Sequence, residues 1–219
     1  MSSAVALTLV AIVPLVALML TSFVKISIVL SLLRNALGAP DAPSGLIVMG
    51  LSLVLTFFVM APVAVDMVHA AAAPTTTAPA PAPTDDVLRE LVPAEYQPQL
   101  DAAERAAGPL RAFLRAHTAD RDRATFVSLA ASLGHPATGD ELWVLAPAFL
   151  ASELRAAFAI AVLLFLPFLA IDLVVGLGLA SLGLSSTSPQ TVALPLKLLL
   201  FVAVDGWRLL LEALVRSYT

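Results

Sequence analysis

The residues of this 219-residue chain that could carry catalytic or metal chemistry are few and widely separated. Its three histidines, His69, His117 and His135, have no ligand-like spacing to one another or to carboxylates, and the chain has no cysteine. Protein metal sites need several His, Cys or carboxylate side chains at close spacing. We therefore expect no metal, and since no Gly-rich phosphate loop occurs in the sequence, we expect no cofactor either.

Two acidic residues in apolar surroundings, Asp172 and Asp205, are the remaining chemical candidates. An intramembrane protease or a proton relay would use such a carboxylate. However, each has a basic residue nearby in sequence or in a plausible neighbouring helix, which favours a structural ion pair. No nucleophile elbow or paired catalytic carboxylate motif is present, so the sequence predicts a protein that is not an enzyme.

The segments that must position these charges are strongly apolar. The chain is 59% hydrophobic and 13% charged, whereas an ordinary soluble domain is about 25% charged. A chain of this composition has an apolar surface, which a bilayer or a large protein partner must cover. Twelve basic against sixteen acidic residues give a net charge of −4, and without a basic tract this balance indicates no nucleic-acid partner.

The distribution of charge predicts an all-α, polytopic membrane-type protein of helical hairpins with a polar helical middle region. Fourteen of the 28 charged residues lie between Asp85 and Arg123. The predicted segments are an N-terminal hydrophobic hairpin (1–69), an Ala/Pro-rich linker (70–84), a polar amphipathic region of periplasmic type (85–150) and a C-terminal hydrophobic hairpin (151–219) with a turn at 183–189. A signal peptide is the competing interpretation of the apolar run 4–24, but no basic residue precedes that run.

The topology of the first hairpin follows from its basic residues. Lys25 and Arg34 lie near the short loop 34–45, which the positive-inside rule assigns to the cytoplasm. The polar middle region would then lie outside. Arg208 and Arg216 indicate the opposite orientation, so the rule leaves the last hairpin undecided.

Charges also interrupt the last apolar stretch. Lys197 and Asp205 lie within residues 192–215, and a charge facing lipid at the membrane centre costs about 3 to 17 kcal/mol. These helices are therefore expected to pack against other protein chains, where each charge finds a partner. The sequence predicts an oligomer.

Four pairs of motifs carry a resemblance to one family. They are Thr21–Ile26 with Leu32–Gly38, Pro109–Leu114 with Asp120 and Phe126, Pro147–Leu154 with Phe165–Phe168, and Leu194–Lys197 with Val204–Trp207. Together they resemble the core export-gate subunit of type III secretion systems and bacterial flagella, the FliP/SctR family. Within these motifs, the expected packing residues are Pro147, Phe149, Phe168, Gly206 and Trp207.

The resemblance implies a structural role in protein export. Family members form a helical ring, usually a pentamer, with two smaller hydrophobic subunits and a further gate or switch subunit. Unfolded proteins pass through the ring. The resemblance also implies a multi-pass protein of the bacterial inner membrane, with part of the assembly on the periplasmic side. An injectisome is favoured over a flagellum, because flagellar relatives tend to run longer and begin with a cleavable signal sequence.

The resemblance further assigns roles to individual residues. It implies that Glu153 and Lys197 meet across a subunit boundary, since either charge left unpaired in protein would cost about 3–5 kcal/mol. The other charges expected to be buried are Lys25, Arg34, Asp172 and Asp205.

The pore-closing turn departs from the family pattern. Where relatives carry consecutive methionines that seal the closed pore, this chain has Leu184, Ser185 and Ser186. Methionine adapts to irregular gaps and serine does not. Either Leu184 alone closes the ring, or partner subunits and phenylalanines do; an ordinary polar turn is the simpler interpretation of the two serines.

The alternative function is a small transporter or ion-channel subunit. It would use the intramembrane charges Asp66, Asp172, Lys197 and Asp205. Pro14, Pro62, Pro167 and Pro195 do interrupt the apolar runs, as in transporters with broken helices, but no inverted repeat is visible.

Overall fold

In a computed structural model, the structure describes residues 14, 16–38, 44–73, 97–184 and 186–219. The regular elements of these residues are all helical, which confirms the predicted all-α fold. The helices are α1 (Phe23–Leu37), α2 (Gly45–Ala72), α3 (Gln97–His117), α4 (Asp120–Ser132), α5 (Leu142–Ser181), α6 (Pro189–Ala203) and α7 (Gly206–Arg216).

The chain divides into two compact units, whose boundaries fall inside α2 and α5. Unit 1 comprises Met1–Val59 and Glu153–Thr219, and unit 2 comprises Met60–Ser152. The four predicted segments, by contrast, were defined by composition and stay a prediction. Helix α2 continues to Ala72, two residues past the predicted start of the linker, because alanine favours helix and the first proline comes only at position 74. Linker residues 74–84 lie outside the described part.

The core of unit 1 forms around α1. Ile26, Val29, Leu30 and Leu33 recur at three- and four-residue spacing and are at most 2% exposed, as expected for one buried helix face. Gly38 ends α1 in the left-handed conformation (φ 77°), and its N–H donates to the carbonyl of Asn35. This left-handed ending is one that glycine adopts without strain.

Helices α2 and α5 are each long and apolar enough to cross a membrane, with mean hydropathies of 2.5 and 2.7. Only Val48, Ser52 and Thr56 are buried along α2. The hydroxyls of Ser52 and Thr56 donate to the carbonyls four residues earlier, at 2.8 and 2.7 Å. A polar side chain can therefore be buried along this apolar helix without leaving an unsatisfied donor.

Unit 2 is organised by short polar links around a small apolar core that includes Phe113, Leu114 and Phe149. The Phe113 and Phe149 rings lie 5.9 Å apart. At the start of α4, the backbone N–H of Ala119 donates to Ser152 Oγ (3.0 Å), whose hydroxyl donates to Asp122 (2.7 Å). This relay fixes α4 to the start of α5 within the unit.

Candidate functional site

The strongest polar feature of unit 1 is a buried ion pair between α1 and α5. Lys25 Nζ lies 3.1 Å from Glu153 Oε1, and the two side chains are 4% and 2% exposed. Two charges removed from water destabilise a fold unless each finds the other in good geometry. The pair therefore specifies how α1 lies against α5, since sliding either helix would strand a charge.

Tyr218 completes this site from the turn that follows α7. Its hydroxyl donates to Glu153 Oε2, and Lys25 Nζ lies 3.7 Å from the centroid of its ring. Burial, together with the Glu153 carboxylate, raises the pKa of the Tyr218 phenol, so the hydroxyl stays protonated and remains a donor. Both carboxylate oxygens of Glu153 thus have a partner within the chain.

A second ion pair joins α5 to α6. Lys197 Nζ lies 2.7 Å from Asp172 Oδ2 and donates to the carbonyl of Ala36 at 3.1 Å. Lys197 is buried, whereas the Asp172 side chain is 42% exposed. A lysine ammonium satisfies carbonyls near a helix C-terminus, so Lys197 also caps the end of α1.

A cavity of about 440 Å³ opens beside this second pair. Its walls come from the end of α1, the middle of α5 and the start of α6, and include Phe165, Phe168, Asp172 and Lys197. Charged and apolar side chains therefore share the walls of this cavity.

An aromatic cluster surrounds the break between α6 and α7. Phe201 lies 6.4 Å from Phe168 and 5.4 Å from Trp207, the latter edge-on at 82°. Asp205 takes the left-handed conformation (φ 52°) at the break, which is rare for a residue with a side chain. The predicted packing residues Phe168, Gly206 and Trp207 are thereby brought together, whereas Phe149 and Pro147 lie in unit 2.

The predicted pore-closing turn is exposed in the single chain. Leu184 is 46% exposed, and Ser186 is exposed as well. Ser185 lies outside the described residues. The assignment of this turn to pore closure stays a prediction.

The other predicted charges differ in their surroundings. Arg34 is half-buried, with its Nη1 3.5 Å from the position a Cβ on Gly45 would take, and Asp205 is exposed. The predicted burial of Asp205 refers to an assembly and stays a prediction. The Glu153–Lys197 contact between subunits also stays a prediction, because in the single chain each of the two residues has a different partner.

The sequence did not reveal two residues of these networks, Tyr218 and Asp122. Tyr218 carried no signal, since a single tyrosine after an amphipathic helix has no spacing to interpret. Asp122 lies in the predicted polar region 85–150, yet it is 4% exposed and accepts a hydrogen bond from Ser152. Both contacts join residues far apart in the chain, which periodicity cannot connect.

Comparison with known proteins identifies the family. A profile of the FliP family matches residues 6–214. The flagellar biosynthetic protein FliP of Pectobacterium carotovorum is 44% identical over 217 residues, covering 98% of this chain and 77% of the relative.

Proteins of secretion systems are similar over comparable lengths. The hypersensitivity response secretion protein HrcR of Ralstonia nicotianae is 41% identical over 214 residues, covering 95% of this chain and 93% of the relative. The Yop proteins translocation protein R of Yersinia pestis is 37% identical over 221 residues, covering 98% and 94%. The chain therefore belongs to the FliP family, as its motifs predicted.

Proposed function

We propose that this chain is a structural pore subunit of a type III protein export gate, through which unfolded proteins cross the bacterial inner membrane. The FliP family match over residues 6–214 carries the proposal. Relatives named for flagellar biosynthesis, hypersensitivity-response secretion and Yop translocation support it. The role is structural, since the polar networks described above all hold helices together.

The exposed apolar faces support membrane insertion and assembly. Seven large apolar side chains of α5 are at least 56% exposed in the single chain: Val162, Leu163, Leu166, Leu169, Leu173, Val174 and Leu177. Helix α5 has 40 residues, about twice the 20 or so that cross a bilayer. One crossing therefore leaves half of the helix outside the lipid and open to protein partners, which fits a homo-oligomer, a pentamer in this family, with two smaller hydrophobic subunits and a gate or switch subunit.

The buried charges give the assembly a specific contact. The Lys197 ammonium has three N–H donors, and two of them serve Asp172 and Ala36. We infer that the third serves Glu153 of a neighbouring copy, as the family resemblance implies. The assembled ring would then share charges between subunits, with part of the ring on the periplasmic side.

Complementation tests the proposed function. In a type III secretion strain whose own copy is deleted, the wild-type chain is expected to restore secretion and to co-purify with two small hydrophobic subunits. A chain that runs as a lipid-embedded monomer and drives ion flux by itself in proteoliposomes would support the transporter alternative and overturn the proposal.

A charge exchange tests the contact between subunits. Glu153→Lys and Lys197→Glu are each expected to reduce secretion, and the double variant is expected to recover part of it. Asp172→Asn is the comparison, because it removes only the partner of Lys197 within the chain. If both single variants secrete normally, the contact between Glu153 and Lys197 is not used.

A further inference from the structure

Within the single chain, the last turns of α5 lack the packing that holds the earlier part of the helix. Val175, at 8% exposed, is the last buried residue of α5. From residue 176 to residue 184 no side chain is buried, and Leu177 and Leu182 are 64% and 74% exposed. Helical segments with few buried contacts and exposed backbone hydrogen bonds open most readily.

Two glycines lie at the start of this unpacked segment. A Cβ added to Gly176 or Gly178 would meet no atom within 4 Å. No steric contact within the chain therefore requires glycine at either position. Glycine within a helix is nevertheless less stable than alanine, because it has more backbone freedom to lose.

Specific contacts hold both ends of this unpacked segment. On one side, the Asp172–Lys197 pair fixes α5 to α6. On the other side, the turn is closed by two hydrogen bonds, from Leu184 N–H to the Leu179 carbonyl (3.0 Å) and from Gly183 N–H to the Ala180 carbonyl (3.1 Å). With Gly183 at φ 70°, this is a Schellman ending, which satisfies the last carbonyls of a helix.

We propose that Gly176 and Gly178 form a hinge about which residues 179–184 tilt as a unit. The proposal rests on the proposed function and on the predicted role of this turn in closing the pore. Opening would then use backbone bending at the hinge, whereas the turn itself keeps its hydrogen bonds. Such a hinge lets a turn that has serines in place of methionines move aside for a substrate and return.

The double variant Gly176→Ala/Gly178→Ala tests the hinge. Each alanine is expected to slow amide exchange of residues 178–182 about fivefold, which corresponds to ~1 kcal/mol of helix stability. Secretion is expected to fall several-fold while co-purification of the complex is unchanged. Gly50→Ala is the matched control, since Gly50 lies in α2 and a Cβ there would also meet nothing within 4 Å; it is expected to secrete normally.

A glycine moved to a neighbouring position tests whether the two glycines serve as a hinge or allow a neighbouring chain to pack closely. Adding Leu177→Gly to the double variant restores backbone freedom between the two hinge positions, so a hinge predicts recovery of secretion. Loss of the complex in the double variant, or no recovery with Leu177→Gly, would mean that the glycines admit a neighbouring chain, and would overturn the hinge. Normal secretion by the double variant would also overturn it. None of these results touches the proposed function, which is decided by complementation and proteoliposome experiments on the wild-type chain.

Discussion

The ring of Phe201 lies so close to Gly206 that a Cβ on residue 206 would stand 2.3 Å from two of its ring carbons. The glycine is therefore a packing requirement at the break between α6 and α7. Gly206→Ala is expected to force Phe201 away from Trp207 and to destabilise unit 1 by about 1–3 kcal/mol, the usual cost of overpacking. Thermal unfolding of the detergent-solubilised chain measures the loss.

Asp205 provides the control for that variant. Asp205→Gly changes the same break but relieves a left-handed conformation (φ 52°) that favours glycine. It is expected to leave stability unchanged or slightly raised. Equal destabilisation by Gly206→Ala and Asp205→Gly would show that the break between α6 and α7 tolerates no substitution. The contact with Phe201 would then not explain the loss in Gly206→Ala.

The Lys25–Glu153 pair is expected to behave as a coupled unit. Lys25→Met or Glu153→Gln alone leaves the partner in buried surroundings and is expected to destabilise by about 3–5 kcal/mol. The double variant is expected to lose less than the sum, because neither change then strands a charge. A double-mutant cycle on unfolding free energies measures this.

The exposed pair of Arg216 and Glu212 is the matched control for that cycle. Their side chains are 75% and 43% exposed, and helix-surface pairs of this kind contribute about 0.3–0.5 kcal/mol. Strictly additive losses at Lys25 and Glu153 would contradict the coupling.

Tyr218→Phe removes the hydroxyl donor to Glu153 but keeps the ring under the Lys25 ammonium. A hydrogen bond to a charged group contributes about 1.5–3 kcal/mol, and a loss in this range is expected. Tyr218→Leu, which also removes the ring, is expected to lose more through the missing cation–π contact. If Tyr218→Phe unfolds at the wild-type temperature, the hydroxyl does not hold Glu153.

Glu141 is expected to make unit 2 sensitive to acid. Its carboxylate accepts hydrogen bonds from Thr138 N–H and Oγ1 and from Gly139 N–H, at 2.9–3.1 Å. Burial acts to raise its pKa, but these hydrogen bonds outweigh burial and the pKa is lowered. Its stabilisation is present above the ordinary carboxyl pKa of about 4.3 and is lost as the pH falls through the lower folded value.

Glu141→Gln is therefore expected to be less stable at neutral pH and to lack part of this loss below about pH 4. Unfolding temperatures between pH 7 and pH 3 measure both effects. Asp140→Asn is the control, because Asp140 pairs with Arg115 at the surface, where the two side chains are 54% and 58% exposed. An unchanged acid profile in Glu141→Gln would contradict the assignment.

Leu184→Ser tests closure of the pore by the turn after α5. If Leu184 supplies the apolar seal, the variant is expected to make cells expressing the assembled gate permeable to small molecules, because serine cannot exclude water. Leu182→Ser is the matched control, since Leu182 is 74% exposed and lies one step before the turn. Unchanged impermeability in Leu184→Ser would assign the seal to other subunits.

Sequence alone was sufficient for the fold class and the family. Apolar runs of about twenty residues and helical spacing, as at Ile26, Val29 and Leu33, are local properties that any helix of this composition shows. Motifs such as Val204–Trp207 remain recognisable because their order along the chain is itself the signal.

The tertiary structure decided which charges meet. Lys25, Glu153 and Tyr218 are separated by 128 and 65 positions, and only packing of α1, α5 and the turn after α7 brings them together. The sequence showed that buried charges need partners, but a lysine can pair with any carboxylate within reach. Helix packing decides which carboxylate lies close enough to a given lysine. For that reason Asp172, rather than Glu153, is the partner of Lys197 within the chain.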